Sequence, residues 1–142
     1  MTAIAIANLK GGVGKSTIAV VTATQLASRA DGRVLLLDLD HEQRQSSGRW
    51  AVTTGDPLEI GQPYHAQLGF DVLVAADMSD IPELGGWEHV VIDCAPGARN
   101  IGVGAGLADA IVVPWTDKTS KEAADDVREA FDYIPIIAVR NK

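Results

Sequence analysis

The sequence predicts an α/β fold: a doubly wound, mainly parallel sheet with helices on both faces. Three observations carry that expectation. Short apolar runs without polar alternation recur at residues 3–7, 34–37, 72–76, 90–92, 111–113 and 134–139. Runs of this length, rich in Val and Ile, suit strands buried on both faces. Segments of helical periodicity lie between several of them, the alternation expected of a parallel sheet. A glycine-rich loop follows the first run directly, where such sheets bind ligands, beyond the carboxyl ends of the strands.

The elements follow in order. Residues 3–7 form the first strand, and the loop at 8–17 opens a helix over 16–30. That helix has apolar residues at 18, 19, 20, 23, 26, 27 and 30, one broad face, with Gly32 just past its end. The strand at 34–37 runs into Asp38 and Asp40. A weaker helix is expected over 45–52. Residues 53–69, with Gly55, Pro57, Gly61 and Pro63, read as loop. After the strand at 72–76, residues 77–87 are broken by Pro82 and Gly85-Gly86. The strand at 90–92 closes on Asp93. A glycine-rich stretch at 101–107 is the other weak helix. The strand at 111–113 is followed by a helix over 121–131 with Ala123, Ala124, Val127, Ala130 and Phe131 on one stripe, and then by the last strand at 134–139.

Bulk properties narrow the function. The 142 residues suffice for one domain with a real core, and the hydrophobic fraction of 46% is ordinary. A formal net charge of −7 does not favour general nucleic-acid binding, which draws on counterion release by cations. The one cysteine, Cys94, excludes an internal disulfide framework and fits a reducing cytosol. The first residues lack the basic segment and apolar length of a signal peptide. No apolar stretch approaches the roughly 20 residues of a membrane span.

The loop carries the most specific chemistry. Gly11, Gly12 and Gly14 let backbone N–H groups curl around phosphate oxygens, Lys15 supplies a point charge, and Ser16 can hold a metal ion. The helix that follows favours anions at its N-terminus. Asp38 and Asp40, two apart at a strand end, share one side if the strand stays extended. There they can hold Mg²⁺ through water or orient an attacking water. Asp93 at the tip of an apolar strand has the Walker B arrangement, a carboxylate for Mg²⁺ or its water. Isolated acids at strand ends are commonplace; a phosphate loop in register with them gives these their weight. His89, Trp50, Trp87 and Trp115 read as packing or surface residues, and Cys94 as a small buried one. Glu122, Asp125, Asp126 and Glu129 read as a solvated helix face.

The ordinary phosphate-loop pattern needs a glycine where this chain has Leu9, and Lys10 stands beside it. This variant resembles the deviant Walker A box of the ParA/MinD family of ATPases. Further segments match in order: Asp38-Leu39-Asp40, then Asp93-Cys94-Ala95-Pro96-Gly97 as a switch II turn, Asp109 to Pro114 as a proline-ended strand, and Asn141. The resemblance implies a P-loop NTPase domain of SIMIBI type over residues 1–142, short at its C-terminus. It implies ATP and Mg²⁺ as cofactors and an ATP-dependent homodimer. Lys10 would reach the nucleotide of the facing chain, with Lys15 and Asp40 completing the catalytic set and Asp40 positioning water. Gly11, Gly12, Val13, Gly14, Lys15, Ser16 and Thr17 would wrap the phosphates, and Pro114 and Asn141 would flank the base. Ser16, Asp38 and Asp93 would serve the metal. A terminal Asn is also often merely solvated, so base recognition and solvation both stay open for Asn141. His41 and Glu42 depart from the usual Pro and Gln, while Gln43, Arg44 and Trp50 look like the segment that follows in some members.

The family implication is a cytoplasmic ATPase, slow and partner-stimulated, that positions or segregates a plasmid, chromosome region or protein assembly. A ParB-like or other adaptor would activate it. Nucleoid association and non-specific DNA binding stay open, although the acidic composition does not support them. The departures at His41 and Glu42 motivate an alternative, a non-hydrolysing nucleotide sensor. A metabolic P-loop ligase or kinase is a third class, which would have no use for Lys10. The single cysteine does not supply the paired cysteines of cluster-bearing relatives.

Overall fold

The computed structural model describes residues 1–29, 32–40, 47–51 and 58–141. Seven strands form one sheet: β1 (Thr2–Ile6), β2 (Val34–Asp38), β3 (Tyr64–His65), β4 (Asp71–Val74), β5 (His89–Asp93), β6 (Ala110–Trp115) and β7 (Ile136–Arg140). Their order is β3-β4-β2-β5-β1-β6-β7. All neighbours pair parallel except β3 with β4. The helices are α1 (Lys15–Arg29), α2 (Ser47–Ala51), α3 (Ala98–Leu107) and α4 (Lys118–Ala130).

Strand alternation divides the core into two layers. Ala3, Ala5, Leu35 and Leu37 face one side with Ile101 and Ala105 of α3 and Ala124 and Val127 of α4. Ile6, Val34 and Leu36 face the other with Ala19, Val20 and Ala23 of α1 and Ala51 of α2. Side chains two apart share a face, so a strand apolar at every position must be covered twice, and β2 is fully buried along its length. The doubly wound expectation holds.

The glycine content that makes α3 weak in helix propensity has a packing reason. A Cβ on Gly104 would overlap the sulfur of Cys94 and meet Ala5 and Ile92 at 3.6 Å. The absent side chain brings α3 down onto β1 and β5. At the other end of the scale, α4 starts three residues before the expected position. Asp117 accepts from the backbone N–H of Ser120, and the Ser120 hydroxyl accepts from that of Asp117, a capping box.

Two expectations change at the sheet edges. Residues 64–65, expected as loop, form β3, a two-residue edge strand whose hairpin closes from Ala66 N–H to the Phe70 carbonyl at 2.8 Å. The last apolar run is not buried on both faces. It is an edge strand with Ile137 57% and Val139 39% exposed, and neither packs into the two core layers. Among the described residues no helix is long and apolar enough to cross a membrane.

Candidate functional site

The loop between β1 and α1 lies at the carboxyl end of the sheet, beside the tips of β2 and β5. Gly12 and Gly14 take positive φ, 74° and 86°, a conformation that strains any residue with a Cβ. A cleft of about 260 Å³ opens there, lined by Gly11, Gly12, Gly14, Lys15, Ser16, Thr17 and Asp40. Val13 is buried and turns its side chain away from the cleft residues. Pro96, in the turn before α3, is the nearest group to the Cβ position of Gly11.

Lys15 is only 6% exposed. Its Nζ donates to the Lys10 carbonyl at 3.2 Å. Burial lowers its pKa, opposed by the nearby charges of Asp93 and Asp40. The ammonium is thus desolvated and poised for a stronger acceptor than a carbonyl.

The acids divide by role. Asp38 and Asp93 pair in register at the tips of β2 and β5, and both are fully buried. Asp38 accepts from the backbone N–H groups of Asp40 at 2.9 Å and Gly48 at 2.8 Å. It therefore ties together the two sides of the segment after β2. Asp93 has neither oxygen in a completed hydrogen bond, and the buried Ser47 hydroxyl also has none. Burial first, and then Asp38, push the Asp93 pKa up to about 6. The Ser16 and Ser47 hydroxyls and Lys15 pull the other way; the two hydroxyls polarise the carboxyl without aligned hydrogen bonds. A buried carboxylate left without partners beside two hydroxyls suits a hard cation that takes oxygen donors. Mg²⁺ is such a cation, and it needs only one or two carboxylates because it keeps several waters and shares phosphate oxygens. Asp40 is 8% exposed and borders both the loop cleft and an adjoining cleft of about 530 Å³ that Asp77, Arg99 and Asn100 also line.

Asn141 reaches the loop. Its Nδ2 donates to the Val13 carbonyl at 3.1 Å, and its backbone N–H donates to the Trp115 carbonyl at 2.8 Å. Pro114 does not line the loop cleft; its carbonyl accepts from Asn8 Nδ2 at 2.8 Å. Lys10 does not line the loop cleft; it is 39% exposed, with Nζ 3.2 Å from Asp117 Oδ2.

The other singled-out residues fall as follows. Burial pushes the Cys94 thiol up to about 12, so it packs rather than reacts. Trp87 is buried, with Nε1 donating to Asp71 Oδ2 at 2.7 Å. Trp115 packs under the Arg140 guanidinium. His89 opens β5, half-buried, and the acids of α4 at 122, 125, 126 and 129 are exposed. His41, Glu42, Gln43 and Arg44, and the side chain of Trp50, lie outside the described residues.

Sequence reasoning passed over Asn8, Ser47 and Asp117. Asn8 is fully buried, accepts from the Lys10 N–H at 2.9 Å and donates to the carbonyls of Pro114 and Ser120. Asp117 did leave a signal, an Asp three residues before a Ser at a helix start. Asn8 and Ser47 left none: the carbonyls to which Asn8 donates are far away in the chain, and only the fold brings Ser47 beside Asp93.

Residues 1–60 match a family model described as an AAA domain. The chain is 35% identical over 116 residues to the maintenance of carboxysome distribution protein A of Gloeobacter kilaueensis, covering 78% of this chain and 47% of that protein. It is 33% identical over 135 residues to the chromosome-partitioning ATPase Soj of Thermus thermophilus, covering 78% and 53%. The chain therefore spans about half the length of these curated relatives. Among solved structures, the cobyrinic acid a,c-diamide synthase of Mycobacterium smegmatis, with an ATP analogue and magnesium bound, shares the fold. Its TM-score is 0.73 at 18% identity, over 99% of this chain and 72% of that one.

Proposed function

This chain belongs to the ParA/MinD family of P-loop ATPases, and from that premise we propose that it binds ATP with Mg²⁺, dimerises around the nucleotide and hydrolyses it to position a cargo. The observation that carries the reading is Lys10, partly exposed in a phosphate loop whose cleft is already lined by Lys15, Ser16, Thr17 and Asp40.

Each residue has a role in this reading. Lys15 and the N–H groups of Gly11 to Ser16 hold the β- and γ-phosphates, and Thr17 contacts the α-phosphate. Ser16 and Asp93 are the donors for Mg²⁺, with Asp38 behind them. When bound there, the metal would supply neutralisation of phosphate charge. Asp40 orients the attacking water. Lys10 from the facing chain stabilises charge on the transferred phosphoryl, a preorganised electrostatic contribution of the kind that dominates such transfers. Asn141 flanks the adenine, while Pro114, buried and off the cleft, acts through its carbonyl bond to Asn8. The relatives' names, carboxysome distribution and chromosome partitioning, support a protein assembly or a DNA region as cargo. An adaptor protein would stimulate a slow basal turnover in the cytoplasm.

Sedimentation of the chain with and without MgATP tests this reading, together with Lys10→Ala. ATP should convert monomer to dimer. The variant should keep ATP binding and lose dimerisation or hydrolysis. A variant with wild-type behaviour in both would overturn the reading in favour of a metabolic enzyme, such as the diamide synthase that shares the fold.

A further inference from the structure

We propose that Asp117 is a resting latch for Lys10, a carboxylate of the same chain that competes with the facing chain's nucleotide for the Lys10 ammonium. This rests on the dimer reading given above.

Lys10 is tied at three points, all within its own chain. Its N–H donates to Asn8 Oδ1 at 2.9 Å, its carbonyl accepts from Lys15 Nζ at 3.2 Å, and its Nζ lies 3.3 and 3.2 Å from the two oxygens of Asp117. The cradle is prebuilt. Asp117 is fixed by capping α4, and the buried Asn8 side chain bonds the Pro114 and Ser120 carbonyls on either side of it. Loop and helix start are therefore held together whether or not the ion pair is made, and the Lys10 ammonium finds its partner without a conformational search.

The pair is also built to release. Lys10 is 39% and Asp117 57% exposed, and exposed pairs are weak and screened by salt. An ammonium lying on Asp117 cannot at the same time extend to a phosphate on another chain. Dimerisation must break the pair once in each subunit, so the latch raises the nucleotide concentration at which dimers form.

Asp117→Asn separates the latch from the cap, because Asn caps helices as well as Asp does. Sedimentation velocity of the full chain with Mg²⁺ and a non-hydrolysable ATP analogue should show this variant dimerising at several-fold lower nucleotide. Raising the salt should narrow its gap from wild type, and nucleotide affinity of the dilute monomer should be unchanged. Asp117→Ser, a second uncharged cap, should move the same way and carries the test if the Asn variant fails to fold. Asp126→Asn removes the same charge from an exposed site on α4 and should behave as wild type. Curves for Asp117→Asn and Asp117→Ser that superimpose on wild type, or an equal shift from Asp126→Asn, would overturn the latch. A wild-type chain that stays monomeric at saturating nucleotide would instead sink the dimer reading, and the latch with it.

Discussion

The side chain of Asn141 donates to the carbonyl of Val13 at 3.1 Å, fastening the residue after the last strand to the phosphate loop. The two lie 128 positions apart. The contact is close: a Cβ on Gly14 would stand 2.5 Å from the same Nδ2. Asn141 thus holds the loop, besides the base contact proposed for it.

The two roles give different predictions for Asn141→Ala. A residue that only recognises adenine should leave binding of inorganic triphosphate untouched. A residue that also holds the loop should weaken both ligands. We expect both to weaken, about two- to tenfold for the triphosphate, the range of one net hydrogen bond. Calorimetric titration of the variant with ATP and with tripolyphosphate reads the difference.

Asp93 predicts a pH dependence. Its folded pKa of about 6 lies above the 3.8 of an ordinary aspartate. Between those values the native state keeps a proton that the unfolded chain has lost, so stability falls as pH rises from about 4 to about 6 and then levels off. The loss is on the order of 1–3 kcal/mol. Asp93→Asn should flatten that slope and make the ligand-free protein more stable at pH 7.5. It should also abolish the extra stability that MgATP confers. Urea unfolding with and without MgATP checks both parts; a less stable ligand-free variant would contradict the burial argument.

What the sequence made legible was chemistry carried by contiguous residues. The loop glycines, Lys10, Lys15 and the strand-tip acids stand in order, and strand ends deliver them to one edge. The carbonyls to which the Asn8 and Asn141 side chains donate lie more than 100 residues away, and no local pattern encodes such contacts. Edge strands were misread for a related reason. Residues 136–140 are as apolar as a central strand, so their pattern alone suggests two buried faces; the exposed apolar patch that an uncovered last strand leads one to expect is what Ile137 and Val139 form. The α3 glycines looked like weakness because helix propensity is local, while the close approach to Cys94 is not.

That approach gives a stability prediction. Gly104→Ala improves helix propensity by about 1 kcal/mol in isolation. Here the added methyl would overlap the Cys94 sulfur, with Ala5 and Ile92 also in contact, and the core is closed around it. Overpacking of this kind costs about 1–3 kcal/mol, so a net loss of stability is expected. Cys94→Ala in the same chain should recover much of it, because it removes the atom that the methyl meets. Thermal melts of the two single variants and the double variant form the cycle; additive effects would show that the two positions do not clash.

At the opposite end of the sheet from the loop, Asp71 gathers three donors. Arg33 lies at 2.6 Å, Trp87 Nε1 at 2.7 Å and His65 Nδ1 at 2.9 Å. Burial alone would raise its pKa; the hydrogen bonds from His65, Trp87 and Arg33 outweigh it, and the folded pKa is lowered. The native carboxylate is therefore preferred over the unfolded one. Its contribution is present above the ordinary value of 3.8 and is lost as pH falls below that value, through the folded pKa. Arg33 and His65 are largely exposed, so solvent screens them, and Asp71→Asn should cost only about 1–2 kcal/mol at neutral pH. The gap between variant and wild type should close under strong acid. Because Trp87 donates to this carboxyl and lies 5.1 Å from the Arg33 guanidinium, its fluorescence should shift in the variant at neutral pH. Nucleotide binding at the far edge should be unaffected, and a fall in ATP affinity would mean that the knot acts on the loop through the sheet.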